Sequence, residues 1–228
     1  VSAASFGAMP IFARFAYRSG VDPVTLLFLR FTMATLVMAA LMAVRRIPVP
    51  RGRTLLGLVA MGAAGYVGQS FCYFNALVHA PAGLVALLLY LYPALVAGLA
   101  AVVLKERLTR PKATALGLAL CGAVLTVGVT RGGEPAGIAY GVGAAVVYAV
   151  YIIAGTKLMR VVPPIPASAV IMASAAVVYL GLTAARGPQW PATAGGWAAI
   201  AAVAVVSTVV AIVTFFAISI GVVVAGVA

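Results

Sequence analysis

The side chains able to bind or react are few in this 228-residue chain, and their types limit the chemistry open to it. There are three acids (Asp22, Glu106 and Glu134), one histidine (His79) and two cysteines (Cys72 and Cys121). All three acids fall at the ends of apolar runs. No carboxylate pair, metal-ligand cluster or nucleophile with its base can then form at depth, which argues against an enzyme and gives no expectation of a metal or other cofactor. The same count removes the buried Asp or Glu through which proton-driven carriers commonly relay. Cys72 and Cys121 read as small apolar packers, and His79 has no carboxylate near it in sequence.

What remains is a set of polar and aromatic residues inside otherwise apolar runs. Arg30 lies roughly 9 Å into its run at helical rise. A guanidinium there either attracts a carboxylate or phosphate on a solute or snorkels to the headgroups, and the residue alone leaves both readings open. Tyr66, Gln69 and Tyr73 recur at spacings of three and four, one stripe of a helix, with Asn75 close by. Tyr90 and Tyr92 flank Pro93, whose missing N–H leaves the carbonyl of Leu89 without its usual donor. Tyr148 and Tyr151 are again three apart. These ten positions are the candidate cavity residues, with a common proline kink and tyrosine packing as the plainer alternative for Pro93, Tyr90 and Tyr92. Ser207, Thr208 and Thr214 are weaker candidates, because such hydroxyls often bond back to their own helix. Glu106, between Lys105 and Arg107, reads as an interfacial ion pair or loop latch.

The elements that must hold these residues follow from composition. The chain is 65% hydrophobic and 8% charged, with mean hydropathy +1.19, far from a soluble domain. Lipid is therefore its solvent, and at about 20 apolar residues per crossing the length accommodates about eight helices. The first run, Val1 to Tyr17, lacks the basic start of a signal peptide and contains Arg14, so it reads as the first span. The second starts at Asp22-Pro23, a cap followed by a first-turn proline, and ends before Arg45. The apolar stretch from Thr54 to Leu104 is too long for one crossing and must turn at His79-Ala80-Pro81-Ala82-Gly83, giving spans three and four. Span five is expected over about Lys112 to Thr130, six over Gly137 to Thr156, seven from Pro166 to Ala185, and eight over Trp197 to Ile220. The stretches Gly62-Ala63-Ala64-Gly65 and Gly137 to Gly143 suit close helix packing.

The formal charge of +12 is a statement about topology. Ten of the fifteen Lys and Arg lie in three connections: Arg45, Arg46, Arg51 and Arg53; Lys105, Arg107, Arg110 and Lys112; Lys157 and Arg160. Under the positive-inside rule these face the cytoplasm, and so does the N-terminus. Clusters separated by membrane spans cannot form the contiguous basic face that nucleic acid requires. The expected partners are the lipid bilayer and a small-molecule solute, with pairing of two copies as an option.

An internal duplication is suggested at an offset of about 143, where Ser5 to Ala13 resembles Val147 to Gly155 and Cys72-Tyr73-Phe74 aligns with Phe215-Phe216-Ala217. Five spans separate equivalent positions, so the halves would be inverted, the plan of many secondary transporters. Chance similarity among helices rich in Ala, Val, Leu and Gly is the alternative.

The run Leu89-Tyr90-Leu91-Tyr92-Pro93-Ala94-Leu95-Val96, followed by Val103-Leu104-Lys105-Glu106-Arg107-Leu108-Thr109, resembles the EamA-type branch of the drug/metabolite transporter superfamily. Lys105 stands where that branch usually has Gly. Arg30-Phe31, Tyr73-Phe74-Asn75-Ala76-Leu77 and Thr214-Phe215-Phe216 are similar to its pattern as well. The resemblance implies an all-α polytopic membrane protein with inverted five-helix repeats, about eight transmembrane helices being present of an expected ten. The first repeat would be 1–131 and an incomplete second 137–228, a C-terminally shortened form. It also implies a multi-pass protein of the plasma (inner) membrane that moves small organic metabolites, amino acids or related solutes, by alternating access. The alternatives are a structural membrane subunit, a channel-like protein or an inactive fragment. A pore would need continuous polar rings, which the scattered polar residues do not provide.

Overall fold

The structure, a computed structural model, describes residues 2–103, 110–127, 132–156, 158 and 162–211. All regular structure among them is helical. Five helices are long and apolar enough to cross a membrane: Pro23–Val44, Gly52–His79, Ala82–Val103, Pro135–Gly155 and Pro164–Arg186, the second, third, fourth, sixth and seventh spans. The fifth span is represented by Arg110–Val127 and the eighth by Ala194–Val210. The protein is an all-α polytopic membrane protein. Lys105, Glu106, Arg107, Thr214, Phe215 and Phe216, and the expected ends of spans five and eight, lie outside the described residues.

The expected second span forms as its sequence directs. Asp22 caps it, its carboxylate accepting from the backbone N–H of Val24 at 3.0 Å and of Thr25, and Pro23 takes the first position. The helix closes at Arg46, whose positive φ of 51° ends the helical hydrogen bonding. The first span is interrupted near its start. It consists of Ser2–Gly7 and Met9–Arg18, and the interruption precedes Pro10, which has no N–H to continue the ladder. Pro93 acts similarly in the fourth span, which is divided into Ala82–Leu89 and Tyr92–Val103 with a tighter turn at Tyr90 and Leu91 between them.

Two features have no counterpart in the sequence reading. Within the third span, Met61–Tyr66 is a π-helical segment, and within the eighth, Val205–Val210 is another. Each is six residues long, and each position in the first lies 144 residues before its counterpart in the second.

The described residues divide into two compact units. One comprises Val1–Ala63 and Met159–Ala228, the other Ala64–Leu158. In the first unit the second span packs along the seventh, and the eighth packs on the first and second. Its core is formed by Phe31 stacked on Tyr179, ring centroids 5.6 Å apart, with Leu26, Leu27, Met38 and Met172, all buried. Gly62 lies so close to the seventh span that a methyl group on it would stand 2.5 Å from the carbonyl oxygen of Ile171. In the second unit the latter part of the third span and both halves of the fourth pack on the sixth. Gly141 admits Leu88 and Gly65 admits the Tyr151 ring, in keeping with close packing at small residues.

Candidate functional site

Four of the ten candidates come together in the second unit. Tyr66 closes the π segment of the third span, Tyr92 opens the second half of the fourth beside Pro93, and Tyr148 and Tyr151 stand one turn apart on the sixth. The Tyr92 and Tyr148 rings meet edge to face, 4.8 Å between centroids at 61°. Tyr148 and Tyr151 are stacked at 6.1 Å, and Tyr66 tilts against Tyr151 at 6.0 Å. The result is a continuous wall of four phenol rings from three spans, each ring half-buried. Tyr92 and Pro93 lie in the middle of a 22-residue span, so the wall is at membrane depth.

The remaining second-unit candidates are placed differently. Tyr73 is buried, with its ring against Phe74 at 5.6 Å. Asn75 donates its amide Nδ2 to the carbonyl of Phe71 on the same helix, at 2.8 Å. Gln69 is half-buried. Tyr90, at the turn between the helix halves, is 53% exposed, and of the two tyrosines flanking Leu91 only Tyr92 joins the wall.

Arg30 belongs to the first unit. Its side chain is 3% exposed, so among its two readings snorkelling to the headgroups is not what the structure shows. Its Nε donates to the hydroxyl of Thr208 at 2.9 Å, and the guanidinium carbon sits 4.9 Å from the Phe31 ring centre. Thr208 in turn donates to the carbonyl of Val203 at 2.9 Å, across the π segment of the eighth span. Thr208 does bond back to its own helix, as its residue type suggests, but it also accepts from Arg30. The second role depends on a contact 178 residues apart and could not be read from local sequence. Its neighbour Ser207 is fully buried and its hydroxyl has no hydrogen-bond partner.

Outside these groups, His79, with no carboxylate near it in sequence, meets one 55 residues away. Its Nδ1 lies 2.7 Å from Glu134 Oε2, and its backbone carbonyl accepts from the Glu134 N–H at 3.0 Å. The His79 ring stacks on Tyr140, so the turn before the fourth span is tied to the start of the sixth. This pair is partly solvated, as expected of a latch. Arg14 is exposed, Trp190 and Trp197 stack at 6.3 Å, and both cysteines are free thiols. No group of three or more metal-ligating side chains occurs among the described residues. Two recesses in the first unit, of about 270 and 410 Å³, are lined by the Ile47–Thr54 connection and by the Ser19 turn, and none of the ten candidates borders either.

Spans broken at mid-depth, with aromatic side chains gathered beside one of the breaks, mark a polytopic helical membrane protein. The EamA-like transporter family model matches residues 1–128 and again 135–228, and the chain belongs to that family. It is therefore a membrane transporter of the drug/metabolite superfamily, a family of transporters and not of enzymes. A protein solved by crystallography is similar over 91% of this chain and 75% of its own, with a TM-score of 0.69 and 28% identity. No curated protein matches the chain.

Proposed function

We propose that the chain is a secondary transporter or exporter of small organic metabolites, amino acids or related solutes, in the plasma (inner) membrane with a cytoplasmic N-terminus. The observation that carries this reading is the convergence of Tyr66, Tyr92, Tyr148 and Tyr151 from three spans beside the Pro93 break. A gap in the backbone ladder at membrane depth is tolerated where it lines a cavity, and the adjoining phenols supply both apolar area and hydroxyls for a solute.

Alternating access by two inverted repeats, 1–131 and 137–228, is part of the same proposal. The two stretches matched by one family model support it, as does the recurrence of the π segment at an offset of 144. So does the packing: if the first, second and third spans correspond to the sixth, seventh and eighth, then first against eighth is the counterpart of sixth against third. Both pairs are packed, and second against seventh corresponds to itself.

Reconstituted in proteoliposomes, the protein is expected to give saturable uptake of at least one member of a panel of amino acids and related amines. Tyr92→Ala should lower that uptake about tenfold or more without lowering the amount of folded protein in the membrane. Flux that rises linearly with concentration for the whole panel sinks the transport reading. Saturable uptake that Tyr92→Ala leaves unchanged keeps transport but moves the site elsewhere.

A further inference from the structure

The electrostatics of the tyrosine wall narrow the solute further, and this step rests on the wall being the transport site. The segments of the second unit that surround it, residues 64–103, 113–127 and 135–156, contain no Asp, Glu, Lys or Arg. The charge-selective features there are then the aromatic rings, whose faces carry negative potential. Two neighbouring hydrogen-bonding side chains serve their own helix: Ser70 donates to the carbonyl of Tyr66 at 2.6 Å, and Asn75 to that of Phe71. Against these segments a carboxylate would meet ring faces and no Lys or Arg, after losing its water. A positively charged nitrogen loses water too, but gains attraction to several ring faces at once, and a methyl or ring substituent on it packs against the same surface. Tyr148, between Tyr92 and Tyr151, and Tyr151, between Tyr148 and Tyr66, are the two inner rings of the wall, and Tyr148 is the one against Tyr92 beside the Pro93 break.

We propose that the wall formed by Tyr66, Tyr92, Tyr148 and Tyr151 selects a solute bearing a positively charged nitrogen, a primary ammonium or a quaternary ammonium, with Tyr148 as its central contact. The selection is made by ring faces and not by a carboxylate, so it does not require the solute to exchange with a proton at an acidic residue.

The test uses the chain in lipid nanodiscs with radiolabelled benzyltrimethylammonium as probe. Competitors are choline, its uncharged isostere 3,3-dimethylbutan-1-ol, and phenylacetate. Binding is expected to be saturable, with choline competing at least about tenfold better than the neutral isostere and phenylacetate not competing. Tyr148→Phe, which keeps the ring face, should stay within about threefold of the parent, and Tyr148→Leu should weaken probe binding about tenfold or more. Stepwise fluorination of a phenylalanine at position 148, which drains the ring face of negative potential, should weaken it progressively. Tyr151→Leu serves if Tyr148→Leu does not fold.

Equal competition by choline and its neutral isostere, with Tyr148→Leu still weakening both, overturns the charge selection while leaving the site in place. Probe binding indifferent to both leucine variants in folded protein removes the site itself, and with it this inference. Absence of saturable probe binding, or competition by phenylacetate as effective as that by choline, also overturns the cation proposal.

Discussion

Arg30 shows how burial changes the meaning of a residue. From its position in the chain it is a guanidinium about a third of the way into a span, equally able to reach a headgroup or a solute. In the structure it is bonded to Thr208 and covered by apolar neighbours. A hydrogen bond to a charged donor contributes about 1.5–3 kcal/mol, and because Thr208 also donates to Val203, the two bonds reinforce each other. Arg30→Met is therefore expected to destabilise the protein by about 2 kcal/mol and Thr208→Val by about 1 kcal/mol. The double variant should lose about 2 kcal/mol and not the sum, as read from chemical unfolding in detergent micelles. Strictly additive losses would mean that the two side chains act independently. The four wall tyrosines were each legible in the sequence from residue type and proximity to a proline or a helical stripe. What sequence could not supply was which of the ten candidates would meet, since Tyr90 and Tyr92 look alike until the turn at Leu91 sends only one of them to the sixth span.

At the level of elements, the caps and breakers were readable because they act locally: Asp22-Pro23 begins a helix and Pro93 interrupts one through bonds within a few residues of themselves. The π segments were not, because a π turn adds one residue to a helix in response to what the helix packs against, and neither MGAAGY nor VVSTVV carries a distinguishing local signal. The two spans stabilise the feature differently. In the eighth span Thr208 spans the widened turn with Arg30 behind it, whereas in the third the corresponding residue is Ala64 and glycines make close contacts instead. A methyl group on Gly62 would collide with a backbone carbonyl, which cannot rotate away, while one on Gly65 would meet the Tyr151 ring at 2.8 Å. Gly62→Ala should accordingly cost about 2 kcal/mol and Gly65→Ala about 1 kcal/mol, the latter also disturbing the tyrosine wall. Gly98→Ala, in open space on a regular helix, should be neutral or stabilising by up to about 1 kcal/mol. Thermal unfolding of the three variants in one detergent checks the order, and a Gly62→Ala protein as stable as Gly98→Ala would show that the third span can shift away from Ile171 at no cost.

For the whole molecule, the count of about eight crossings came from hydrophobic length, and the expected sidedness of the connections from where the basic residues sit, both of which are additive along the chain and need no knowledge of packing. Packing itself, second against seventh and third against sixth, joins residues more than fifty positions apart and could only be framed through the proposed duplication. Orientation is the property on which both the inverted repeats and the direction of any transport depend, and it can be tested directly. With Cys72 and Cys121 replaced by alanine, Arg51→Cys places a single thiol in the most basic connection, and Gln189→Cys places one between the seventh and eighth spans; both positions are exposed. In right-side-out vesicles a membrane-impermeant maleimide should label Gln189→Cys and spare Arg51→Cys until the membrane is permeabilised, and inverted vesicles should give the opposite result. The reverse pattern would place the N-terminus outside. Because the basic connections would then face away from the cytoplasm, the charge asymmetry would need another cause. Labelling of both from one side would require an even number of crossings between 51 and 189 in place of the five that the turn at His79 to Ala82 and the break-containing fourth span provide.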